Sequence, residues 1–137
     1  MNLAYWLFKS DPDEYSYDNL EKDGKAVWDG VTNNLALKHL RSVKKGDQAF
    51  FYHTGLEKKI VAIADVISEP YPDPGAKNPK VVVVDLKPKH KLRKTVSLEQ
   101  LKAIQEFAGF ELIRLPRLSV MPVDEPTWRR ILQLSGY

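Results

Sequence analysis

The chain has 137 residues, 43% of them hydrophobic and 28% charged, enough for one buried core and too few for two ordinary domains. It contains no cysteine, which excludes disulfides, thiolate zinc sites and cysteine nucleophiles. The formal net charge of +3 is unevenly spread: six carboxylates lie between Asp11 and Asp23, whereas KPKHKLRK (Lys87 to Lys94) is almost wholly cationic.

The opening MNLAYWLF has no basic start and no cleavage site, and no apolar run approaches a membrane span. Neither a signal peptide nor a membrane partner is expected, and a cytoplasmic protein is. AYWLFK reads as a first strand running straight into Lys9, Ser10 and the Asp11-Pro12 break. Such an ending suits a plain strand exit or the lip of a pocket.

Ser16 is placed to cap a short helix over YDNLEKD, closed by Gly24. AVWDGV reads as a brief extended piece turning at Asp29-Gly30. Asn33 or Asn34 then caps a helix over LALKHLRSVKK, with Gly46 just past its end. DQAFFYH and KIVAIADVI form two strands around the loop TGLEK, and SEPYPDPGAKNP, with four prolines and a glycine, is a turn segment.

KVVVVDLK is a strong β-branched strand. If the cationic run after it is extended, Lys87, Lys89, Lys91 and Arg93 share one face. Such a stripe neutralises phosphates, or it keeps an edge strand soluble. Ser97 and Gln100 form a capping box ahead of a helical stripe of Leu98, Leu101, Ile104 and Phe107. LSVMPV is a last strand, and Asp124 caps the closing helix EPTWRRILQL, with Trp128, Ile131 and Leu132 facing inward.

The connections are too short for repeated crossovers, which favours a strongly bent, mostly antiparallel sheet or small open barrel with helices outside, in one α+β domain over residues 1–137. Enzyme signatures are missing: no GxxxxGK[ST], GxGxxG, HExxH or GxSxG occurs. His39, His53 and His90 lack metal-ligand spacing, so no metal or other cofactor is expected.

Several segments resemble the EVE domain family of the PUA-like superfamily, in its compact bacterial form. They are YWLFKSDPDEYSYDNL, VWDGVTN, GDQAFFYHTG, IVAIADVISEPYPDP and PRLSVMPV, in the family's order and across almost the whole chain. The resemblance implies a PUA-like bent barrel with a pocket for a nucleobase, often a modified one, in DNA or RNA. It also implies kinship with the YTH readers of methylated adenine and with the ASCH domains, some of which are amidohydrolases. A monomer or weak dimer is expected.

Through that resemblance Trp28 stands as a pocket wall, set against the alternative of a core tryptophan. Lys9 and Ser10 match the Lys-Ser pair that would bring polar groups to a base edge. Asn33 matches an asparagine able to read a base edge, and it is equally an ordinary helix cap. Tyr52 and His53 match the family's FYH, one of them as pocket wall or as hydrogen-bond partner of the ligand; Tyr71 is a candidate lid or opposing wall, and Ser119 joins the pocket. Arg117 is assigned a phosphate, or a carboxylate such as Asp29. The family's usual arginine is replaced by Thr32, and Leu37 and Lys38 stand at further basic and amide positions, so binding is expected to be weakened or redirected. The leading reading is a non-catalytic reader. An ASCH-like amidohydrolase with Lys9 as base and a protein-interaction module are the alternatives.

Overall fold

The computed structural model describes residues 3–137. Seven strands, β1 Tyr5–Ser10, β2 Ala26–Trp28, β3 Gln48–His53, β4 Lys59–Val66, β5 Tyr71–Pro72, β6 Val82–Ser97 and β7 Val120–Val123, form one mixed sheet. The order is β2-β6-β4-β3-β1-β7, with β5 paired to β6. Only β1 and β3 run parallel, with Lys9 beside Tyr52 and Ser10 beside His53. The remaining pairs are antiparallel.

The sheet curls into a half-barrel. Trp28 on edge strand β2 reaches across to Phe8 of β1, with ring centroids 5.8 Å apart, and meets Phe51 of β3 edge-on at 5.4 Å. The edges β2 and β7 do not pair, which leaves an unclosed seam. Helix α2, Asn34–Ser42, packs against both β7 and β6 and so bridges that seam. Its Ala36, Leu37 and Leu40 are buried there.

Bulges produce the curl. The β4–β6 register shifts between Ile60 and Ala62 and again between Ile63 and Ala64. Pro88, which has no amide to donate, sits beside the second shift, where an interior strand tolerates it. The cationic run is therefore the middle of one 16-residue strand. Lys87, Lys89, Lys91 and Arg93 are all exposed, but Lys94 and Thr95 are exposed as well, so the alternation fails beyond Arg93.

Local signals set the helix starts. Ser16 forms a capping box with Asn19 on α1, Tyr17–Asp23, and Gly24 closes it at φ +79°. Asn33 caps α2, Ser97 caps α3 (Leu98–Lys102) and Asp124 caps α5 (Glu125–Leu134). Helix ends depart from expectation where the core pulls on the chain. The α2 helix stops at Ser42 rather than Lys45, because Val43 is buried in extended conformation and Asp47 accepts from the Lys44 amide, tightening the turn. The stripe Leu98 to Phe107 is not one helix. Ile104 is extended, a 3-10 turn spans Gln105–Phe107, and a further short helix, α4 at Glu111–Arg114, follows. Each piece is too short to hold alone and is fixed by burying Leu101, Phe107 and Leu112.

At the far end of β1, Asp47 is buried and accepts from the Ala4 amide at 3.0 Å and Trp6 Nε1 at 2.9 Å. Tyr5 and Phe50 sandwich Trp128 of α5, with centroids at 4.4 and 3.8 Å. No helix of the described residues is long and apolar enough to cross a membrane.

Candidate functional site

The seam opens into a cavity of about 510 Å³, within the size range of small-ligand sites. One wall is the end of β2 and the turn after it: Ala26, Val27, Trp28, Asp29, Gly30 and Val31. The other comprises Lys9, Ser10 and Asp11 at the end of β1, Glu14 and Tyr15 beyond it, and Ser119 before β7. Gly30 takes φ +77°, a left-handed turn between Asp29 and Val31, both of which line the cavity.

Trp28 is only 8% exposed, so its indole serves the core and the cavity together. The Ser10 hydroxyl donates to the Tyr15 carbonyl. That spends its proton and leaves its oxygen as an acceptor. Tyr15 donates its phenol to Asp23 at 2.8 Å. Burial, that hydrogen bond and the Asp23 charge push the Tyr15 pKa up to about 12. The lining therefore offers aromatic and aliphatic surface, hydroxyl oxygens, and the carboxylates of Asp11, Glu14 and Asp29.

The structure brings together Trp28, Ser10, Ser119 and Lys9. The Lys9 ammonium departs from the expected base edge. Successive strand residues face opposite sides of a sheet, and Lys9 Nζ donates to the Pro116 carbonyl at 2.8 Å while lying 5.7 Å from the Tyr52 ring centroid. Burial lowers its pKa from the ordinary lysine value.

The other expected wall residues lie elsewhere. Asn33 is exposed, outside the lining, and its side-chain oxygen accepts from the Ala36 amide at 3.0 Å. Tyr52 is buried on the Lys9 face, where burial raises its pKa. His53 is buried beneath α1: its Nε2 accepts from the Tyr17 amide at 3.1 Å, which leaves Nδ1 to donate to Glu57 at 3.0 Å. Tyr71 donates to Asp85 at 2.6 Å, a bond that raises its pKa, and it is not part of the lining.

The expected phosphate contacts are dispersed. Lys91 is held by Asp18 at 2.8 Å and Glu21 at 3.5 Å, which raises its pKa and lowers that of Asp18. Arg93 lies over the Tyr137 ring, 4.9 Å from its centroid. Lys87 and Lys89 are exposed, and Arg117 is exposed in the loop before β7, with no ion pair to Asp29. Thr32 is exposed, and Leu37 is core. Among the described residues no group of three His, Cys, Asp or Glu side chains is arranged to hold a metal ion.

Tyr15, Asp29, Val31 and Glu14 are lining residues that sequence reasoning did not assign to the pocket. The Asp29-Gly30 turn was the one available signal for two of them. A turn beside a wall residue folds its neighbours over the same opening.

The geometry has close counterparts. A protein of Rhodopseudomonas palustris solved by NMR is 39% identical with a TM-score of 0.93, the match covering 98% of this chain and 94% of that one. The human THYN1 protein, solved in complex with 5-methylcytosine containing DNA, is 26% identical with a TM-score of 0.89 over 98% of each chain. Thymocyte nuclear protein 1 of Rattus norvegicus is 31% identical, matching 98% of this chain and 75% of its own length. An ASCH protein of Zymomonas mobilis, 12% identical with a TM-score of 0.60, shares the PUA-like fold. The EVE domain model matches residues 4–134, and the chain belongs to the EVE domain family.

Proposed function

We propose that the protein is a non-catalytic reader that takes a modified nucleobase of DNA or RNA into the seam cavity, with 5-methylcytosine the foremost candidate. The reading is carried by one observation: the cavity is lined by Trp28 and the aliphatic Ala26 and Val31 together with the acidic residues Asp29 and Glu14. Cytosine presents an amino donor where thymine presents a carbonyl acceptor. A carboxylate accepts from the first and repels the second. The 5-methyl group adds apolar area against the aliphatic wall, and burying one carbon is worth about 0.8 kcal/mol, about fourfold in affinity. Stacking on an indole contributes about 1–3 kcal/mol for any base.

The complex of the human relative with 5-methylcytosine containing DNA supports the choice of base and polymer. RNA is the alternative polymer. The placement of Lys9 supports a reader over an amidohydrolase. The ammonium that a hydrolase would use as base rests on Pro116 and Tyr52 instead of entering the cavity. The reading carries a cytoplasmic monomer or weak dimer with it.

The test is a fluorescence-anisotropy titration of matched oligonucleotides carrying 5-methylcytosine, cytosine or thymine, single- and double-stranded, as DNA and as RNA. Saturable binding is expected in the order 5-methylcytosine, cytosine, thymine, with the oligonucleotide recovered unchanged by mass spectrometry. Equal affinity for all three bases at matched salt would overturn base reading, and a mass change would overturn the non-catalytic assignment.

A further inference from the structure

The base cavity is poorly suited to the phosphates that arrive with a base. Its lining carries the carboxylates of Asp11, Glu14 and Asp29, and its one cationic residue, Lys9, sends its ammonium away. On the face that receives that ammonium lies a second cavity of about 260 Å³. Lys9, Lys58 and Lys102 line it together with Tyr52 and Pro116, and no carboxylate does. Lys58 comes from the β3–β4 loop and Lys102 from the last turn of α3.

Two features point to an anion. Among the described residues none of the three ammonium groups is within ion-pairing distance of a carboxylate, although Lys58 and Lys102 also border an adjoining groove that Glu57 and Glu99 line. Lys9 is half-buried, and only a neutral carbonyl and an aromatic face compensate its charge. A partly desolvated cation with neutral partners gains more from an arriving anion than a solvated one does.

We propose that this three-lysine cavity is a backbone-phosphate site for the strand whose base enters the seam. The two cavities share Lys9 as a wall, so a base in one and a phosphate in the other are separated by a single strand. The Thr54 amide donates to the Ser10 carbonyl at 3.0 Å, which ties the loop bearing Lys58 to the rim of the base cavity. The strand then runs over the β3–β4 loop and α3. It does not follow the β6 lysines, where Lys91 is already neutralised by Asp18 and Glu21.

The inference rests on the base-reading proposal, and the experiment separates the two. Lys58→Gln/Lys102→Gln is compared with wild type and with Lys87→Gln/Lys89→Gln, against a single-stranded 5-methylcytosine oligonucleotide and against the free nucleoside 5-methyldeoxycytidine. The first variant is expected to bind the oligonucleotide about tenfold more weakly at low salt and to flatten its salt dependence, by about 0.7 in log K against log salt for each phosphate that is no longer neutralised. Its nucleoside affinity should equal that of wild type, and the β6 variant should match wild type in both. Unchanged oligonucleotide affinity and slope in Lys58→Gln/Lys102→Gln, with nucleoside binding intact, overturns the phosphate site alone. Failure of wild type itself to bind the nucleoside overturns the base-reading proposal and this inference with it. Inorganic phosphate displacing the oligonucleotide at micromolar concentration would overturn it too, by marking a free-anion site.

Discussion

Trp28 and Phe8 lie 5.8 Å apart, ring to ring, although β6, β4 and β3 separate their strands in the sheet. The contact exists only because the sheet curls far enough to bring one edge over the face of a strand near the other. The seam cavity is the remainder of that incomplete closure. Fold and site therefore share an indole.

Trp28→Ala should show both roles. Losing a buried aromatic costs about 3–5 kcal/mol of stability, and losing the stacking surface costs about 1–3 kcal/mol of base binding. Trp28→Phe separates them: a loss of about 1–2 kcal/mol in urea unfolding is expected, with base affinity reduced about fivefold in a protein that remains folded. Unchanged stability in Trp28→Ala would mean that the indole lies outside the core.

Asp47 anchors the opposite end of β1. Its side-chain oxygens accept from the Ala4 amide, Trp6 Nε1 and the Lys44 amide, all at 2.9–3.0 Å, and the residue is 2% exposed. Asp47→Ala strands three donors, one of them a buried indole N–H, and should cost about 3 kcal/mol. Asp47→Asn retains one acceptor oxygen and should cost about half as much. Urea midpoints test this, and the slope of the unfolding curve should not change. Base affinity should not change either, since Asp47 is remote from the seam lining.

What the sequence reveals of this molecule divides along the range of the interactions. The four side-chain caps, Ser16, Asn33, Ser97 and Asp124, are legible because each acts within three residues of itself. The length of β6 is not, because the lysine-rich half is held extended by pairing with β4, far away in sequence. That Trp28, Ser10 and Ser119 line one cavity is legible only through family resemblance, since they meet by sheet curl and no spacing encodes that. Strand alternation carries one further signal. Adjacent residues of a strand face opposite ways, so Lys9 and Ser10 could not both send side chains into one cavity, nor could Tyr52 and His53.

Stability should fall in alkali. The Tyr17 phenol is buried, donates to the Ile63 carbonyl at 3.2 Å, and has its pKa raised above the ordinary tyrosine value, chiefly by burial. Tyr15 is pushed up to about 12 and Tyr52 is raised as well. A group whose folded pKa lies above its unfolded value contributes stability below the unfolded value, about 10 for tyrosine, and loses it as pH rises through the folded value. Tyr71 and Lys91 are raised too, so Lys9, with its lowered pKa, is one group against five. Chemical denaturation at pH 8.5, 10 and 11.5 should show declining stability, with a shallower decline in Tyr17→Phe. A flat profile over that interval would contradict the assignment.

Two tyrosines compete as the wall opposite Trp28, and their hydrogen bonds decide between them. Tyr71 donates to Asp85 at 2.6 Å and lies outside the cavity lining, while Tyr15 lines the cavity and is tethered to Asp23 at 2.8 Å. A lid must be free to move over the opening, and Tyr71 is fastened by its hydroxyl. A wall must present its ring, and the Tyr15 phenol tether holds the ring in place. Tyr71→Phe should therefore cost about 1 kcal/mol of stability and leave base affinity as in wild type. Tyr15→Ala should lower base affinity about tenfold by removing stacking surface, and Tyr15→Phe should retain most of it. Oligonucleotide titrations at one salt concentration decide the matter, and a base-affinity loss in Tyr71→Phe with none in Tyr15→Ala would reverse the assignment.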